Sequence, residues 1–415
     1  MQHKSIWVIV GVALLFRVIW IENVPGLTTN HEASVGVTAR GSWNHLWYLG
    51  EEVVSPIPWF LVSILVKLAG LSVYTVRLPV ITASVFGVYI LYRLAKNLFG
   101  ERVGLISACV LALSPWYIHL SRFFIEEVIA TAFLVALMWA VVERRKTLAV
   151  LAASTLFLSG WHYVERLYTA RVPSVGSWVF NVASYTSFDW LFFRGDKYFL
   201  HGVGEIGQFY LILLPFLLIG FFRALEDKKG RFVLLGAAFF IGLAALSRFS
   251  PEARASLPAL PFYTIIISLG LDAAYRESKK ILGRFRLPVL AVFLCIAFYQ
   301  VLLYAHIYLV HFGKKSGSEW SAVYRQLAPY INQTIDQYDH IIVTNHYGVS
   351  RAQLVFSGVR MSSKITFGVP EVLNASPSKT LLLLEPEIKP QGATKVAEFQ
   401  VANKVPTIIA WETSR

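Results

Sequence analysis

Four short stretches of this sequence carry side chains able to do chemistry. The first, Thr28-Thr29-Asn30-His31-Glu32-Ala33-Ser34, follows an apolar run and sets an imidazole beside a carboxylate. The second, Ser114-Pro115-Trp116-Tyr117-Ile118-His119-Leu120-Ser121-Arg122-Phe123-Phe124-Ile125-Glu126-Glu127, joins two apolar runs and gathers a histidine, an arginine and two adjacent carboxylates. The third contains Arg194-Gly195-Asp196-Lys197-Tyr198-Phe199-Leu200-His201, where Gly195-Asp196 signals a turn among cations and aromatic rings. The fourth is Ser247-Arg248-Phe249-Ser250-Pro251-Glu252-Ala253-Arg254. A carboxylate or an imidazole can take the proton from an acceptor hydroxyl. Arginine matches a phosphate through its planar fork of donors, and aromatic walls beside cations suit a sugar phosphate. Together these residue types fit transfer of a group from a lipid phosphate, with cations stabilising the departing phosphate. Each stretch also has a plainer reading. Polar residues are common at bilayer surfaces, Glu126 and Glu127 would be favoured by a helix dipole, and Arg248 and Arg254 could snorkel at a helix end.

The elements that must position these residues are membrane helices. At 56% hydrophobic and 15% charged residues, the 415-residue chain is far more apolar than a soluble protein, which has ~45–50% apolar and ~25% charged residues. Taking ~20 apolar residues as the requirement for a span, nine transmembrane helices are predicted at 5–21, 77–98, 102–119, 125–142, 147–163, 208–225, 231–247, 257–276 and 287–311. The segment 56–71 opens on Pro56 and Pro58 and carries Lys67, so it is predicted as an interfacial or re-entrant helix. With that assignment the basic clusters around Arg93, Arg144, Lys228 and Lys279 all fall on the side of Lys4, which the positive-inside bias makes the cytoplasm. The N-terminus is then inside. The segments 22–76, 119–125, 164–207, 247–257 and everything after about 312 are outside, and these hold the four stretches.

Beyond residue 312 the composition becomes that of a soluble domain of small α/β type, 312–415. A helix is predicted over Glu319–Ile335, with Trp320, Val323, Leu327 and Ile331 on one face. A second helix is predicted over Val349–Ser357, and strands over His340–Thr344, Thr380–Glu385, Lys395–Val401 and Thr407–Trp411. The triplets Asn332-Gln333-Thr334 and Asn374-Ala375-Ser376 match the short glycosylation acceptor pattern. The net charge of +13 comes from loop clusters rather than from a nucleic-acid motif, so nucleic acid is excluded as a partner. Cys109 and Cys295 both lie in apolar runs and indicate no disulfide framework.

In their order along the chain these motifs resemble the GT-C glycosyltransferases, the class that includes protein mannosyltransferases (glycosyltransferase family 39) and the aminoarabinose transferase of lipid A. The resemblance is carried by the acidic motif ending Glu32-Ala33, Pro56–Trp59 leading to Val76-Arg77-Leu78-Pro79, and Leu98-Phe99-Gly100. It continues through Ser114-Pro115-Trp116 to Ser121-Arg122 and Glu126, then the Leu191–Asp196 run with His201, and Arg254 through Pro261. It covers most of residues 1–310 and implies a multi-helix fold in the cytoplasmic membrane, a polyprenyl-phosphate-linked sugar as donor, and an acceptor outside. By position, Glu32 matches the Glu of the family's Asp-Glu pair, and Glu126 the acidic residue of the second external loop. His31 stands where the family usually has the Asp that acts as base, and the middle of the chain is short relative to the family. A neutral imidazole can act as a base near pH 7.

The resemblance implies that Glu32, with His31, activates the acceptor or holds a divalent metal, assisted by Glu126. Arg254, Arg248 and Arg122 would hold the donor phosphate, and Asp196, His201, Lys197, Glu127 and His119 would line the substrate site. Two alternatives stay open. One is a catalytically degenerate scaffold that binds a lipid-linked sugar or a partner protein. The other is a secondary transporter, which the uncharged span interiors and the absence of paired halves disfavour.

Overall fold

The computed structural model describes residues 2–41, 48–49, 52–53, 55–160, 173–247, 249–317, 320–344, 351–368, 379–400 and 406–413. The described chain is mostly helical, with a small sheet near its C-terminal end. It divides into two compact units. Met1–Ile19, Leu46–Leu61 and Arg77–Tyr308 form one; Trp20–His45, Val62–Val76 and Leu309–Arg415 form the other.

The first unit is built from helices whose large apolar side chains face outward. Trp7, Leu235, Leu287 and Phe298 are largely exposed, while alanines, serines and three arginines, Arg17, Arg77 and Arg122, are fully buried. Exposed apolar surface on that scale belongs against lipid rather than water. Inside, the helices Leu214–Glu226 and Leu260–Leu282 touch backbone to backbone. A Cβ on Gly220 would run into the carbonyl of Ile266, and one on Gly270 into that of Phe216. Small residues permit that close approach, as in membrane helix pairs.

Two helical stretches among the described residues are long and apolar enough to cross a membrane, Val73–Phe99 and the run Leu257–Lys315. The observed helices differ from the nine predicted spans in where they begin and end. The predicted span 102–119 ends at Leu113, because Pro115 begins a separate helix, Pro115–Leu120; proline lacks an N–H donor and restricts the residue before it. The predicted 208–225 opens with a 3-10 turn, Leu211–Leu213, becomes α-helical only at Leu214, again beside a proline, and stops at Glu226. Gln2–Val18, Glu126–Val142 and Lys228–Ala244 reach 17 residues each. Lys146–Ser159 covers the described part of 147–163. The segment predicted as interfacial is a helix, Pro56–Ala69, of 14 residues. That gives it a length of ~21 Å, less than the ~30 Å of a hydrocarbon core.

In the second unit a five-stranded sheet runs in the order Ile365–Phe367, His340–Val343, Thr380–Leu384, Pro406–Thr413, Ala393–Gln400. The first three strands are parallel and the last two pair antiparallel. Thr380–Leu384 is buried along its whole length, which accounts for its unbroken apolar sequence. Leu327 and Ile331 of the helix Tyr324–Thr334 pack against Ile341, Val343, Leu381 and Ile408. This helix begins later than predicted, because Ser321 adopts a left-handed backbone conformation with φ of 52°. The short strand Ile365–Phe367 has no counterpart among the predicted strands. Asn374-Ala375-Ser376 lies outside the described residues, as does the start of the predicted helix 349–357.

Residues 20–45 join this unit through specific contacts. Leu27 packs on its core. The Thr28 hydroxyl donates to Oε1 of buried Gln353 at 2.9 Å, and Nε2 of Gln353 donates to the Thr28 carbonyl at 3.2 Å.

Candidate functional site

Within the first unit, three of the four stretches meet at the ends of their helices. The meeting point is Glu252-Ala253-Arg254, each residue of which holds a different partner. Trp116, near the start of Pro115–Leu120, donates its indole N–H to the Ala253 carbonyl at 2.9 Å and stacks edge-on against Trp190 and Phe209. The second and third stretches are pinned again where the Ser114 hydroxyl donates to the Gln208 carbonyl at 3.0 Å. The aromatic residues thus act as the packing that brings the polar ones together.

Asp196 is aimed by its turn. Gly195 has φ of +66°, and a Cβ there would come 2.5 Å from the Ile206 carbonyl oxygen, so the position requires glycine. Asp196 Oδ1 accepts from the Tyr198 amide at 2.9 Å, and Oδ2 accepts from the Ala253 amide at 2.7 Å. The side chain is 5% exposed, and burial pushes its pKa up to about 6 against the pull of those two amides. His201 sits between two acids, Nδ1 3.7 Å from Asp196 Oδ2 and Nε2 3.7 Å from Glu252 Oε1. The backbone N–H of Glu252 donates to the Tyr185 hydroxyl at 3.0 Å. A carboxylate with a pKa near 6 and an imidazole bridging two acids form a set that can hold and move a proton near neutral pH. Asp196 and His201 also line a small cavity with Trp116, His119, Gln208 and Tyr304.

The adjacent carboxylates of the second stretch separate in role. Glu127, fully buried, pairs with Arg254. Glu126 accepts from both the backbone N–H and the hydroxyl of Ser55, at 2.9 and 3.0 Å, and so fixes the residue that precedes the helix Pro56–Ala69. Arg122 directs its two terminal nitrogens to the carbonyls of Phe16 and Ile19, at 2.5 and 2.6 Å, at the C-terminal end of the first helix. A guanidinium there complements the negative end of the helix dipole. His119 is buried edge-on between Phe123 and Tyr308. Lys197 is exposed, and Arg248 lies outside the described residues.

The first stretch belongs to the second unit and has its own geometry. Thr29 caps the helix Asn30–Ala39: its hydroxyl accepts from the Glu32 amide at 3.1 Å, while Glu32 Oε2 accepts from the Thr29 amide at 3.0 Å. The Glu32 carboxylate in this reciprocal capping box is completely buried. His31, one residue earlier, is half-buried. Among the described residues no group of three or more His, Cys, Asp or Glu is placed to hold a metal ion.

Sequence reasoning missed Ser55, Tyr185 and Glu252 as members of this network. Glu252 had a usable signal, since a carboxylate two residues from Arg254 in a short loop is itself ionisable and interfacial. Ser55 and Tyr185 had none, because their partners lie 71 and 67 residues away in the chain. The capping box was legible as Thr-x-x-Glu at 29–32.

Residues 53–157 match the family model of dolichyl-phosphate-mannose-protein mannosyltransferase. This match includes Ser55, Glu126 and Glu127. No curated protein matches the chain. Among solved structures, ArnT from Cupriavidus metallidurans in the apo state superposes with a TM-score of 0.57 at 14% identity, over 99% of this chain and 97% of that one. The same protein bound to undecaprenyl phosphate gives 0.53 at 15% identity, over 99% and 97%. At these identities the likeness is one of fold, and it extends along nearly the whole chain. The resemblance to the GT-C, protein-mannosyltransferase type drawn from motif order is borne out by these two kinds of match.

Proposed function

We propose that this protein is an integral-membrane glycosyltransferase of the cytoplasmic membrane that moves a sugar from a polyprenyl-phosphate-linked donor to an extracytoplasmic acceptor. The N-terminus lies inside, and the C-terminal domain lies outside with the site. The observation that carries the proposal is the cluster around Glu252–Arg254. It collects Glu127 from the first turn of one helix and Asp196 and His201 from a single distant loop, on a fold like that of a protein whose structure holds undecaprenyl phosphate. In this reading Glu32, with His31, activates the acceptor, and Glu126 assists. Arg254, with Arg248, engages the donor phosphate, exchanging its contact with Glu127 for the ligand. Asp196, His201, Lys197 and His119 border the sugar, and Arg122 secures the end of the first helix.

One observation favours a second reading. Glu32 already has a structural task as a helix cap, so a scaffold that binds a lipid-linked sugar without transferring it is the alternative. Glutamine serves a capping box as well as glutamate does, and Glu32→Gln therefore separates the two. Sugar release from a purified polyprenyl-phosphate donor should fall by about 100-fold or more if Glu32 acts as the base, with the melting temperature unchanged. Full turnover in both Glu32→Gln and Glu126→Gln would remove these residues from the chemistry. A wild-type protein that binds the donor but never releases the free carrier would establish the scaffold instead.

A further inference from the structure

Away from the polar cluster, the first unit has an apolar groove of about 680 Å³ between the helices Glu101–Leu113, Leu260–Leu282 and Arg286–His306. Its floor and walls are aliphatic and aromatic, among them Ile106, Leu113, Phe216, Leu290 and Phe293. Polar groups gather at one end. There Arg102 and Arg286 approach the same ring, Tyr275, at 5.0 and 4.7 Å from its centroid. Arg286 donates Nε–H to the Ser278 hydroxyl at 3.0 Å and, among the described residues, pairs with no carboxylate. Arg102 shares Asp272 with Arg276, at 3.3 and 2.7 Å, so a single negative charge is divided between two guanidiniums. The segment 272–286 holds five basic residues and two acidic ones, which leaves this end of the groove strongly positive.

We propose that the groove binds an anionic glycerophospholipid of the surrounding bilayer, its phosphate held by Arg102 and Arg286 and one acyl chain laid along the apolar walls. Charge complementarity selects the headgroup, since two arginines stacked on one tyrosine present donors to a phosphate while keeping their apolar faces on the ring. Dimensions suit the chain: from Arg286 to Val301 the groove follows 15 residues of helix, ~22 Å, against ~15 Å for one leaflet. The proposal rests on the chain being a membrane protein and not on sugar transfer, so it can fail or succeed independently of that activity. It also runs opposite to the expected donor geometry, because the basic clusters at this end lie on the side of Lys4.

Native mass spectrometry of the purified protein, equilibrated with equal amounts of phosphatidylglycerol and phosphatidylcholine, tests it. Each arginine near a net-anionic headgroup contributes about fivefold in affinity, and in phosphatidylcholine the quaternary ammonium offsets that attraction, so phosphatidylglycerol should be retained in clear excess. The Arg102→Gln/Arg286→Gln variant should retain the two lipids equally. Equal retention by the wild-type protein overturns the proposal, and so does displacement of phosphatidylglycerol by an equal amount of undecaprenyl phosphate. A second measurement leaves both arginines in place. Cys109 lines the groove and Cys295 is the other cysteine of the chain. In Cys295→Ser protein, phosphatidylglycerol should slow N-ethylmaleimide labelling of Cys109 several-fold while phosphatidylcholine does not. Equal rates with the two lipids would place the bound lipid elsewhere.

Discussion

The helices Asn30–Ala39 and Glu126–Val142 both start on buried carboxylates, yet the two starts are held in opposite ways. At the first, Glu32 closes a capping box with Thr29, three residues away, and both partners lie within one turn of helix. At the second, Glu126 reaches Ser55 across 71 residues and Glu127 reaches Arg254 across 127. A carboxylate at a helix N-terminus benefits from the dipole in either place. The contrast shows that the same local signal serves two tasks. One finishes a helix, while the other ties loops together and brings an arginine into a polar cluster that contains Asp196 and His201.

If that contrast is right, the long-range pair should be the more costly to break. Glu127→Ala takes from Arg254, in a mostly enclosed position, the one carboxylate it pairs with directly and leaves it the weaker attraction of Glu252 and Glu126. A lost buried partner costs ~3–5 kcal/mol, and the partial exposure of Arg254 brings the expectation to about 3 kcal/mol. Denaturant or thermal unfolding in detergent would read it, and a loss below that of a cap would erase the distinction. Thr29→Ala removes half of the capping box and should cost about 1 kcal/mol, with no effect on unfolding of the first unit.

The smallest effect concerns pH. The Asp196 pKa is raised to about 6 by burial, above its value of 3.8 in an exposed chain. The folded state therefore holds the proton more tightly than the unfolded state. The cost of ionising the group is absent below pH 4, grows as pH rises through that window, and is complete above pH 6. Lowering the pH from 7 to 5 should stabilise the wild type relative to Asp196→Asn by about 1 kcal/mol. The difference between their melting curves at the two pH values checks the sign; no difference would show the carboxylate to be ionised at no cost, and an opposite sign would show that folding favours its ionised form.

Much of the first unit was legible in the sequence, and its failures are instructive. The apolar runs do become helices, because twenty apolar residues without strong breakers have few other ways to satisfy their backbone in lipid. Their ends were misjudged at Pro115 and Pro215, where composition stays apolar while the backbone changes course. In the second unit the strands Thr380–Leu384 and Pro406–Thr413 are marked in the sequence by the apolar runs Leu381–Leu384 and Ile408–Trp411, whereas Ile365–Phe367 is too short to show a pattern. At the site, the stretches containing His119, Asp196 and Arg254 stand out in the sequence by residue type, whereas the contacts of Arg122 with the end of the first helix and of Glu126 with Ser55 cross long stretches of chain and leave no local pattern.

The sequence by itself determined that this is a chain of apolar helices with basic short loops and a small sheet at its end, because hydrophobicity, length and charge act over a few turns of chain. It also determined the Thr29–Glu32 cap, which needs no residue outside its own turn. Only the tertiary structure decided that Glu127 meets Arg254, that His201 stands between Asp196 and Glu252, and that Arg102 and Arg286 share one tyrosine at the mouth of an apolar groove. Those pairings depend on helices packing through Trp116 and through Gly220 and Gly270. Such contacts carry no signature in the sequence near the charged residues they bring together.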